Sequence, residues 1–228
     1  MISVIIPALN EAGRLPGLLR ALLDEPEKAE IIVVDGGSAD GTADLALRHG
    51  VRLIHAPPGR GRQIRAGTAL ARGDILLFLH ADTRFPPGGL HAIERALRLD
   101  PAVIGGNFRL LFDGADGFSR WLNGFYGWIR AHGVYYGDSG IFVRRCVHDR
   151  IGGIRPAALM EDFEFTRRLE RHGKTLCLDQ PPLITSSRRF SGRHPAAIVG
   201  GWLLIHILYY LRVPPEILAW LYWSRRRR

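Results

Sequence analysis

Short apolar runs alternate with helical patterns along the first half of the chain. Runs near residues 2–6, 30–35, 51–55 and 74–80 are rich in Ile, Leu and Val and predict strands. Leucines recur at helical spacing over residues 14–24 and predict a helix that lays one face on a sheet. The repeated order of strand, loop and helix is typical of βαβ units with right-handed crossovers. It predicts an α/β fold with a mainly parallel sheet and helices on both faces.

The pattern becomes less regular beyond residue 82. It predicts a helix over residues 87–99, an apolar stretch over 103–112 and an aromatic helix over 118–129, followed by a further strand. We expect these elements to lie against the first sheet and to form the wall of a cleft. We expect them to form a single domain with the first half, over residues 1–193.

Residues 194–228 form a different segment, because residues 194–211 contain no formally charged side chain. This apolar stretch lies at the lower edge of the roughly 17–25 residues that span a bilayer, and Gly200 and Gly201 weaken a lone spanning helix. A second apolar run and the basic tail Arg225–Arg228 follow. Two alternatives remain open. In the first, the segment contacts an anionic membrane surface through Trp, Tyr and Arg. In the second, it packs on the preceding domain or on a second copy of the chain.

The excess of basic over acidic residues indicates which classes of molecule the protein binds. The 228 residues include 31 Lys and Arg against 22 Asp and Glu, a formal charge of +9, and almost all of the basic residues are Arg. The planar guanidinium suits phosphate, so the excess fits a phosphorylated small substrate or an anionic lipid. Nucleic acid is disfavoured, because the basic residues are scattered and no recognition helix or stacking pattern is present.

Two sequence features bear on the compartment. Cys146 and Cys177 are the only cysteines, and they have neither a paired nor a metal-type spacing. The first residues lack the basic region of a signal peptide and predict a core strand. We therefore expect a cytoplasmic protein, with peripheral contact at the inner membrane face if the C-terminal segment binds lipid.

Two acidic residues stand where apolar strands end. Asp35 follows the run at residues 31–34 and precedes Gly36, and Asp82 follows the run at residues 75–79. In open parallel sheets, ligands bind in the crevice outside the carboxyl ends of the strands. We therefore expect a nucleotide at one of these acids and a divalent metal at the other. The alternative for Asp35 is a carboxylate that only caps its own turn.

Four segments, residues 4–11, 33–42, 80–82 and 160–165, occur in an order and spacing that resemble the family 2 glycosyltransferases. Those are enzymes of the GT-A fold that use nucleotide-activated sugars. The first segment is similar to their opening strand and turn, and the second to their nucleotide-binding loop. The third stands where their metal-binding DxD motif usually lies, and the fourth resembles the segment with the catalytic base. The His-Ala-Asp-Thr form of the third segment and the apolar C-terminal helices resemble a small bacterial subgroup.

This resemblance implies transfer of a sugar from a UDP- or GDP-type donor to an acceptor hydroxyl by direct displacement with inversion. It also implies a Mg²⁺ or Mn²⁺ ion on the leaving diphosphate, held by Asp82 and by His80, which replaces the first acid of the motif. A buried, hydrogen-bonded His80 is the alternative. The implied base is Asp162, with Glu161 orienting it or binding the acceptor. Alternatively, the two acids only favour a helix N-terminus.

The same resemblance implies further site residues. Arg62 is chosen for the donor diphosphate from three arginines at one helix start, the others being Arg60 and Arg65. Asp40 is expected to cap the helix that follows it. The nucleotide-binding set is Pro7, Asn10, Glu11, Asp35, Gly36 and Arg62, and the acceptor-binding set is Asp138, Ser139 and Gly140. For Asn10 and Glu11 a helix-capping role is the alternative.

Two other functions stay open. A nucleotidyltransferase usually carries a Gly-rich, Lys-bearing loop after the first strand, where this chain has residues 7–11. A non-catalytic, membrane-associated protein that binds a nucleotide sugar is the other, and His80 in place of an acid keeps it open. The basic element Arg188, Arg189 and Arg193 fits either a donor diphosphate or a lipid phosphate. The sequence leaves the sugar and the acceptor undetermined, and a lipid-linked acceptor is among the candidates.

Overall fold

A seven-stranded sheet organises the chain. The computed structural model describes residues 1–190 and 192–224, except for the side chains of Arg188 and Arg189. The basic tail Arg225–Arg228 lies outside the described residues. The strands are β1 (Ile2–Ala8), β2 (Ala29–Asp35), β3 (Arg52–His55), β4 (Ile75–Phe78), β5 (Val103–Phe112), β6 (Ile141–Arg144) and β7 (Lys174–Thr185). The helices are α1 (Leu15–Leu23), α2 (Thr42–Arg48), α3 (Arg60–Leu70), α4 (Gly89–Leu99), α5 (Gly117–Ala131), α6 (Arg145–Arg150), α7 (Glu161–His172), α8 (Pro195–Tyr210) and α9 (Pro215–Ser224).

The strand order is β3-β2-β1-β4-β6-β5-β7, and neighbouring pairs are parallel except for the two that β6 makes. This confirms the α/β fold with a mostly parallel sheet. The second half differs from the expectation in that β5, β6 and β7 continue the first sheet rather than lying against it. Because β6 runs backwards, Ile141 at its start pairs with Phe78 at the end of β4. The residues just before β6 therefore lie beside the carboxyl end of β4.

Successive residues of the central strands point to opposite faces of the sheet, and both faces are covered. Val4 and Ile6 of β1 pack into the core under α1 and α4, whereas Ile5 packs into the core under α3 and α7. A strand that is buried on both faces needs apolar side chains at every position. This explains why the central strands appear as continuous apolar runs in the sequence.

Helix α3 lies close against the sheet through Gly67. A Cβ atom at this position would lie 2.7 Å from a methyl group of Ile5 and 2.9 Å from one of Val34. The close approach matters for the site, because α3 begins at Arg60 and its distance from the sheet determines where that first turn lies.

The two C-terminal helices pack on the elements that precede them. Ile198 of α8 joins the core around α1 and α4, and Ile205 of α8 and Leu218 of α9 pack with Met160 and Phe163. The described part of residues 194–228 therefore packs on the preceding domain, which was one of the two alternatives. Contact of this segment with a membrane stays a prediction. No helix among the described residues has the length and apolar character needed to cross a bilayer.

Substitution of Gly67 tests the contact between α3 and the sheet. We expect Gly67→Ala to lower the free energy of unfolding by about 1–3 kcal/mol, because the added methyl overpacks the core. Gly17→Ala is the matched control, since Gly17 is also helical but a Cβ atom there would have no neighbouring atom within 4 Å. The control should be neutral or stabilise by up to about 1 kcal/mol through helix propensity. Urea unfolding measures both, and equal effects would contradict the close packing.

Candidate active site

A cavity of about 1170 Å³ lies outside the carboxyl ends of β1 and β4. Its walls come from the loops after these strands, the first turns of α3 and α7, and helices α5, α8 and α9. The predicted site residues that line it are Pro7, Glu11, His80, Asp82, Asp138, Glu161 and Asp162. The predicted residues that do not line it are Asn10, Asp35, Gly36, Arg62, Ser139 and Gly140.

Hydrogen bonds join the loop after β1 to the loop after β2. The side-chain oxygen of Asn10 accepts from the amide of Ala39 at 2.9 Å. The carboxylate of Asp40 accepts from the amide of Ala12 at 3.0 Å and from the amide of Thr42, at the start of α2, at 3.1 Å. The N-cap residue of α2 is therefore Gly41 and not Asp40 as expected, although Asp40 accepts from the first amide of the helix. The side chain of Asn10 holds the two loops together. A nucleotide contact by Asn10 stays a prediction.

Asp35 uses its carboxylate within its own turn. Its Oδ2 atom accepts from the amides of Gly37 at 2.9 Å and Ser38 at 3.1 Å, and it lies 3.5 Å from His55 Nδ1. Burial alone would raise the pKa of Asp35, but the hydrogen bonds from Ser38 and Gly37 outweigh it and hold the pKa below its usual range. This geometry matches the turn-capping alternative, and a nucleotide contact by Asp35 stays a prediction.

Gln63, which the sequence pattern did not single out, ties the ends of two strands to α3. Its buried side-chain amide donates to the carbonyl oxygens of Ala8 at 2.8 Å and Val34 at 2.7 Å. A Cβ atom at Gly36 would lie 3.1 Å from the same amide nitrogen. Gln63 therefore fixes the floor of the cavity. The sequence could have indicated this role, because Gln63 lies four residues before Gly67 and therefore on the same face of α3, the one that meets the sheet.

The first turn of α7 faces the first turn of α3. Met160 has a φ of 65°, in the left-handed region that residues with a Cβ rarely adopt, and it starts α7 with Glu161 and Asp162 at the cavity. Gly61 lets α3 approach this segment. A Cβ atom at Gly61 would lie 2.7 Å from the carbonyl oxygen of Arg155 and 3.3 Å from Cγ of Glu161.

Arg60 contacts both acids and His80. Its Nε donates to Glu161 Oε1, and its Nη2 lies 3.7 Å from Asp162 Oδ2. Its Nη1 donates to His80 Nε2 at 3.2 Å. A guanidinium has donors and no acceptor, so Nε2 of His80 supplies the lone pair in this contact. The geometry matches the hydrogen-bonded alternative for His80, and metal ligation by His80 stays a prediction.

The two adjacent carboxyls have pKa values shifted in opposite directions. Burial raises the pKa of Glu161, and Arg60 opposes that shift without cancelling it. Burial acts in the same sense on Asp162, but Arg60 and the amides of Gly137 at 2.9 Å and Phe163 at 2.8 Å hold its pKa below the usual range. Asp162 is therefore ionised at neutral pH and can accept a proton from a ligand in the cavity.

Asp82 lines the cavity from the end of β4, close to Glu11. Burial, and then the charge of Asp82, raise the pKa of Glu11. Within residues 1–190 and 192–224, no three His, Cys, Asp or Glu side chains form a metal-binding group. Mg²⁺ in nucleotide sites keeps several waters and binds one or two carboxylates plus substrate phosphates. Asp82 with Glu11 nearby fits an ion held in that way.

The residues before β6 form the opposite wall. Gly137–Ser139 is a short 3-10 turn, and its buried Asp138 lines the cavity. The Ser139 hydroxyl donates to the carbonyl oxygen of Tyr136 at 2.6 Å, and a Cβ at Gly140 would lie 2.9 Å from Leu183. Ser139 and Gly140 therefore support the turn that carries Asp138, and an acceptor contact by either stays a prediction.

The arginines at the start of α3 differ in position. Arg62 is exposed and lies outside the cavity lining, whereas Arg60 lines the cavity. Arg193 lines a much smaller cavity beside α8, and the side chains of Arg188 and Arg189 lie outside the described residues. The sequence analysis did not predict the aromatic side chains that line the cavity, which are Phe125, Tyr126, Tyr136, Trp202, Tyr222 and Trp223. The high aromatic content of α5, α8 and α9 was the feature of the sequence that could have indicated them.

Comparison with known proteins gives a family match. The model of glycosyl transferase family 2 matches residues 3–146. An uncharacterized glycosyltransferase of Mycobacterium bovis is 33% identical over 109 residues, which cover 47% of this chain and 49% of that protein. Undecaprenyl-phosphate 4-deoxy-4-formamido-L-arabinose transferase of Pseudomonas aeruginosa is 37% identical over 109 residues, which cover 42% of this chain and 32% of that protein. The match therefore spans less than half the length of either relative.

A solved structure shares the fold over almost the whole chain. It is the mannosyltransferase PcManGT from Pyrobaculum calidifontis, in complex with GDP-Man and Mn²⁺. The two superpose with a TM-score of 0.69 at 22% identity, covering 96% of this chain and 69% of the mannosyltransferase. This likeness shows the GT-A-like fold.

Removal of the Arg60 charge tests the electrostatics of the site. In the native protein the depressed pKa of Asp162 contributes stability that is present above about pH 4, the unfolded value, and is lost as pH falls through the folded pKa. In Arg60→Gln both buried carboxyls lose their cation, so their folded pKa values rise. The variant then loses stability as pH increases toward neutral.

We therefore expect urea unfolding to show a larger deficit for Arg60→Gln at pH 7.5 than at pH 5. Breaking a buried pair costs about 3–5 kcal/mol. Because the Arg60 side chain is 36% exposed, we expect a deficit of about 1–3 kcal/mol at pH 7.5. Arg65→Gln, at an exposed position of the same helix, is the control and should change little at either pH. A deficit that does not depend on pH would refute the assigned shifts.

Proposed function

Because this chain belongs to glycosyl transferase family 2, we propose that it transfers a sugar from a nucleoside diphosphate donor to an acceptor hydroxyl. The observation that carries the proposal is the convergence of Asp82, Arg60 and Asp162 on one cavity at the carboxyl ends of β1 and β4. Ligands of open α/β sheets bind at this edge. The GDP-Man and Mn²⁺ bound by the solved mannosyltransferase support the same class of donor.

The donor nucleotide lies along the part of the cavity formed by Pro7, Ala8 and Glu11. Asp35 and Gln63 act on it through the loops whose positions they fix. The diphosphate lies toward the start of α3, where unpaired backbone N–H groups and the helix dipole favour an anion. Arg60 adds a positive charge at the same end of the helix.

The divalent ion of this reaction, Mg²⁺ or Mn²⁺, neutralises charge on the leaving diphosphate when it is bound. Asp82 is the carboxylate that would hold it, with diphosphate oxygens and water completing the coordination. His80 is engaged by Arg60 and acts in this proposal by orienting that arginine. Its Nε2 atom is therefore not assigned as a metal ligand.

Asp162 is the base. The acceptor oxygen forms a bond to the anomeric carbon on the face opposite the diphosphate while the bond from that carbon to the diphosphate oxygen breaks. The acceptor proton passes to the carboxylate of Asp162, and the nucleoside diphosphate leaves with the bonding electrons, so the anomeric configuration inverts. Asp162 is suited to this role because its lowered pKa keeps it ionised, and Glu161 balances Arg60 beside it.

Hydrolysis of the donor tests the proposal without knowledge of the acceptor. We expect one of a panel of UDP- and GDP-sugars with Mn²⁺ or Mg²⁺ to be hydrolysed slowly, with water as the acceptor. Asp162→Asn should lower the rate by about 10²–10⁴-fold, because it removes the base and keeps the shape. Binding of the donor, measured as a thermal shift, should persist in this variant.

Asp44→Asn is the matched control, since Asp44 is exposed on α2 and does not line the cavity. It should hydrolyse the donor at the native rate. A protein that binds a nucleotide sugar and hydrolyses none would support the non-catalytic alternative. Equal hydrolysis by native protein and Asp162→Asn would remove Asp162 from the role of base.

A further inference from the structure

The cavity is larger than a typical pocket for one small molecule. Ligand pockets for one small molecule measure about 300–1,000 Å³, whereas this cavity has about 1170 Å³. Its donor side is bordered by charged residues. The remainder, which we term the apolar chamber, is walled by Tyr126, Tyr136, Val199, Trp202, Leu203 and Tyr222.

The apolar chamber begins next to the proposed base. Tyr136 directly precedes Gly137, whose amide donates to Asp162 Oδ2 at 2.9 Å. The ring of Tyr136 also stacks on Phe163, the residue after Asp162, with a centroid distance of 5.7 Å and an interplanar angle of 23°. An acceptor that presents a hydroxyl to Asp162 therefore has the rest of its structure close to this chamber.

The wall that α8 contributes is uncharged. The helix has no Asp, Glu, Lys or Arg between Pro195 and Tyr210, and its one histidine that lines the cavity, His206, has both ring nitrogens engaged. His206 Nε2 is hydrogen-bonded to the hydroxyl of Tyr136 at 2.8 Å, and Nδ1 donates to the carbonyl oxygen of Trp202 at 2.8 Å.

Such a wall offers few further hydrogen-bonding groups to an acceptor. Val199 and Leu203 have none, and the hydroxyls of Tyr126 and Tyr136 are hydrogen-bonded to Asp138 Oδ2 at 3.4 Å and to His206 Nε2 at 2.8 Å. Burial against this wall therefore favours the hydrocarbon part of an acceptor over its polar groups. The chamber also opens where the surface is apolar, since Leu203 is 61% exposed and Trp223 is 50% exposed at its border.

We propose that the acceptor is an amphipathic lipid alcohol, with its hydroxyl at Asp162 and its hydrocarbon chain in the apolar chamber. This inference rests on the proposed function for the donor and the base. It adds the chemical class of the second substrate and assigns α5, α8 and α9 to its recognition. The exposed apolar mouth then serves as the entrance for the hydrocarbon chain.

Binding of simple alcohols tests the chamber independently of turnover. Tryptophan fluorescence reports it, because Trp202 and Trp223 line the cavity. We expect farnesol to bind in the presence of nucleoside diphosphate. For n-alkanols from butanol to octanol, we expect affinity to rise about fourfold for each methylene group buried. With the donor that the chain hydrolyses, the same alcohols should accept the sugar in the same order.

A matched pair on α8 separates the chamber from the outer surface of the helix. Leu203 lines the cavity, whereas Ile207 is 48% exposed on the same helix and does not line it. We expect Leu203→Asp to weaken farnesol binding at least tenfold and Ile207→Asp to leave it unchanged. Equal weakening by both variants would overturn the inference. It would show that the whole exposed surface of α8 contributes, as expected if that surface contacts a membrane or a second copy of the chain.

The two proposals fail in different ways. If a donor is hydrolysed while alcohols neither bind nor accept the sugar, the apolar acceptor is wrong and the proposed function stands. If farnesol binds and the n-alkanols show the expected chain-length dependence but no donor is hydrolysed, the transfer function is wrong. Faster donor turnover with a free sugar as acceptor, and none with farnesol, would also overturn the inference.

Discussion

The site depends on one electrostatic constraint: two neighbouring carboxylates at the start of α7 are buried, and Arg60 is the cation that contacts both. Two adjacent buried charges repel each other and lose their hydration, so without a partner they would take up protons. Arg60 prevents this for Asp162, and the amides of Gly137 and Phe163 add to the effect. The ionised acid that the proposed chemistry needs therefore results from the contact between α3 and α7.

Several packing features of the fold serve this junction. Gly67 sets the distance of α3 from the sheet, Gly61 lets its first turn approach α7, and Gln63 ties the same turn to the ends of β1 and β2. The reversed strand β6 then returns the chain to the end of β4, which places Gly137 and Asp138 against the start of α7. These contacts tie the junction to the sheet.

The sequence predicted the fold well, because strands buried on both faces and amphipathic helices leave strong periodic patterns.

For the site, the sequence predicted Asp82, Glu161 and Asp162, which line the cavity. These acids stand at the ends of predicted strands or helices, and such positions can be read from the sequence alone. The sequence favoured Arg62, whereas Arg60 is the arginine that lines the cavity. Two positions on a helix differ by about 200° in direction, and only the orientation of α3 decides which side chain faces the cavity. The sequence left two roles open for Asp35. Its carboxylate caps its own turn, as local backbone geometry sets, and a nucleotide contact stays a prediction. The apolar chamber was also hidden, because it forms where α8 folds back beside Tyr136, far away in sequence.

The central claim is that one cavity holds the activated sugar between Asp82 and Asp162. A crystal structure of the chain with a nonhydrolysable nucleotide sugar and Mn²⁺ tests it most directly. The account predicts the diphosphate and the metal beside Asp82, with the anomeric carbon facing the carboxylate of Asp162. A diphosphate bound outside this cavity, or a sugar whose anomeric carbon faces away from Asp162, would contradict it.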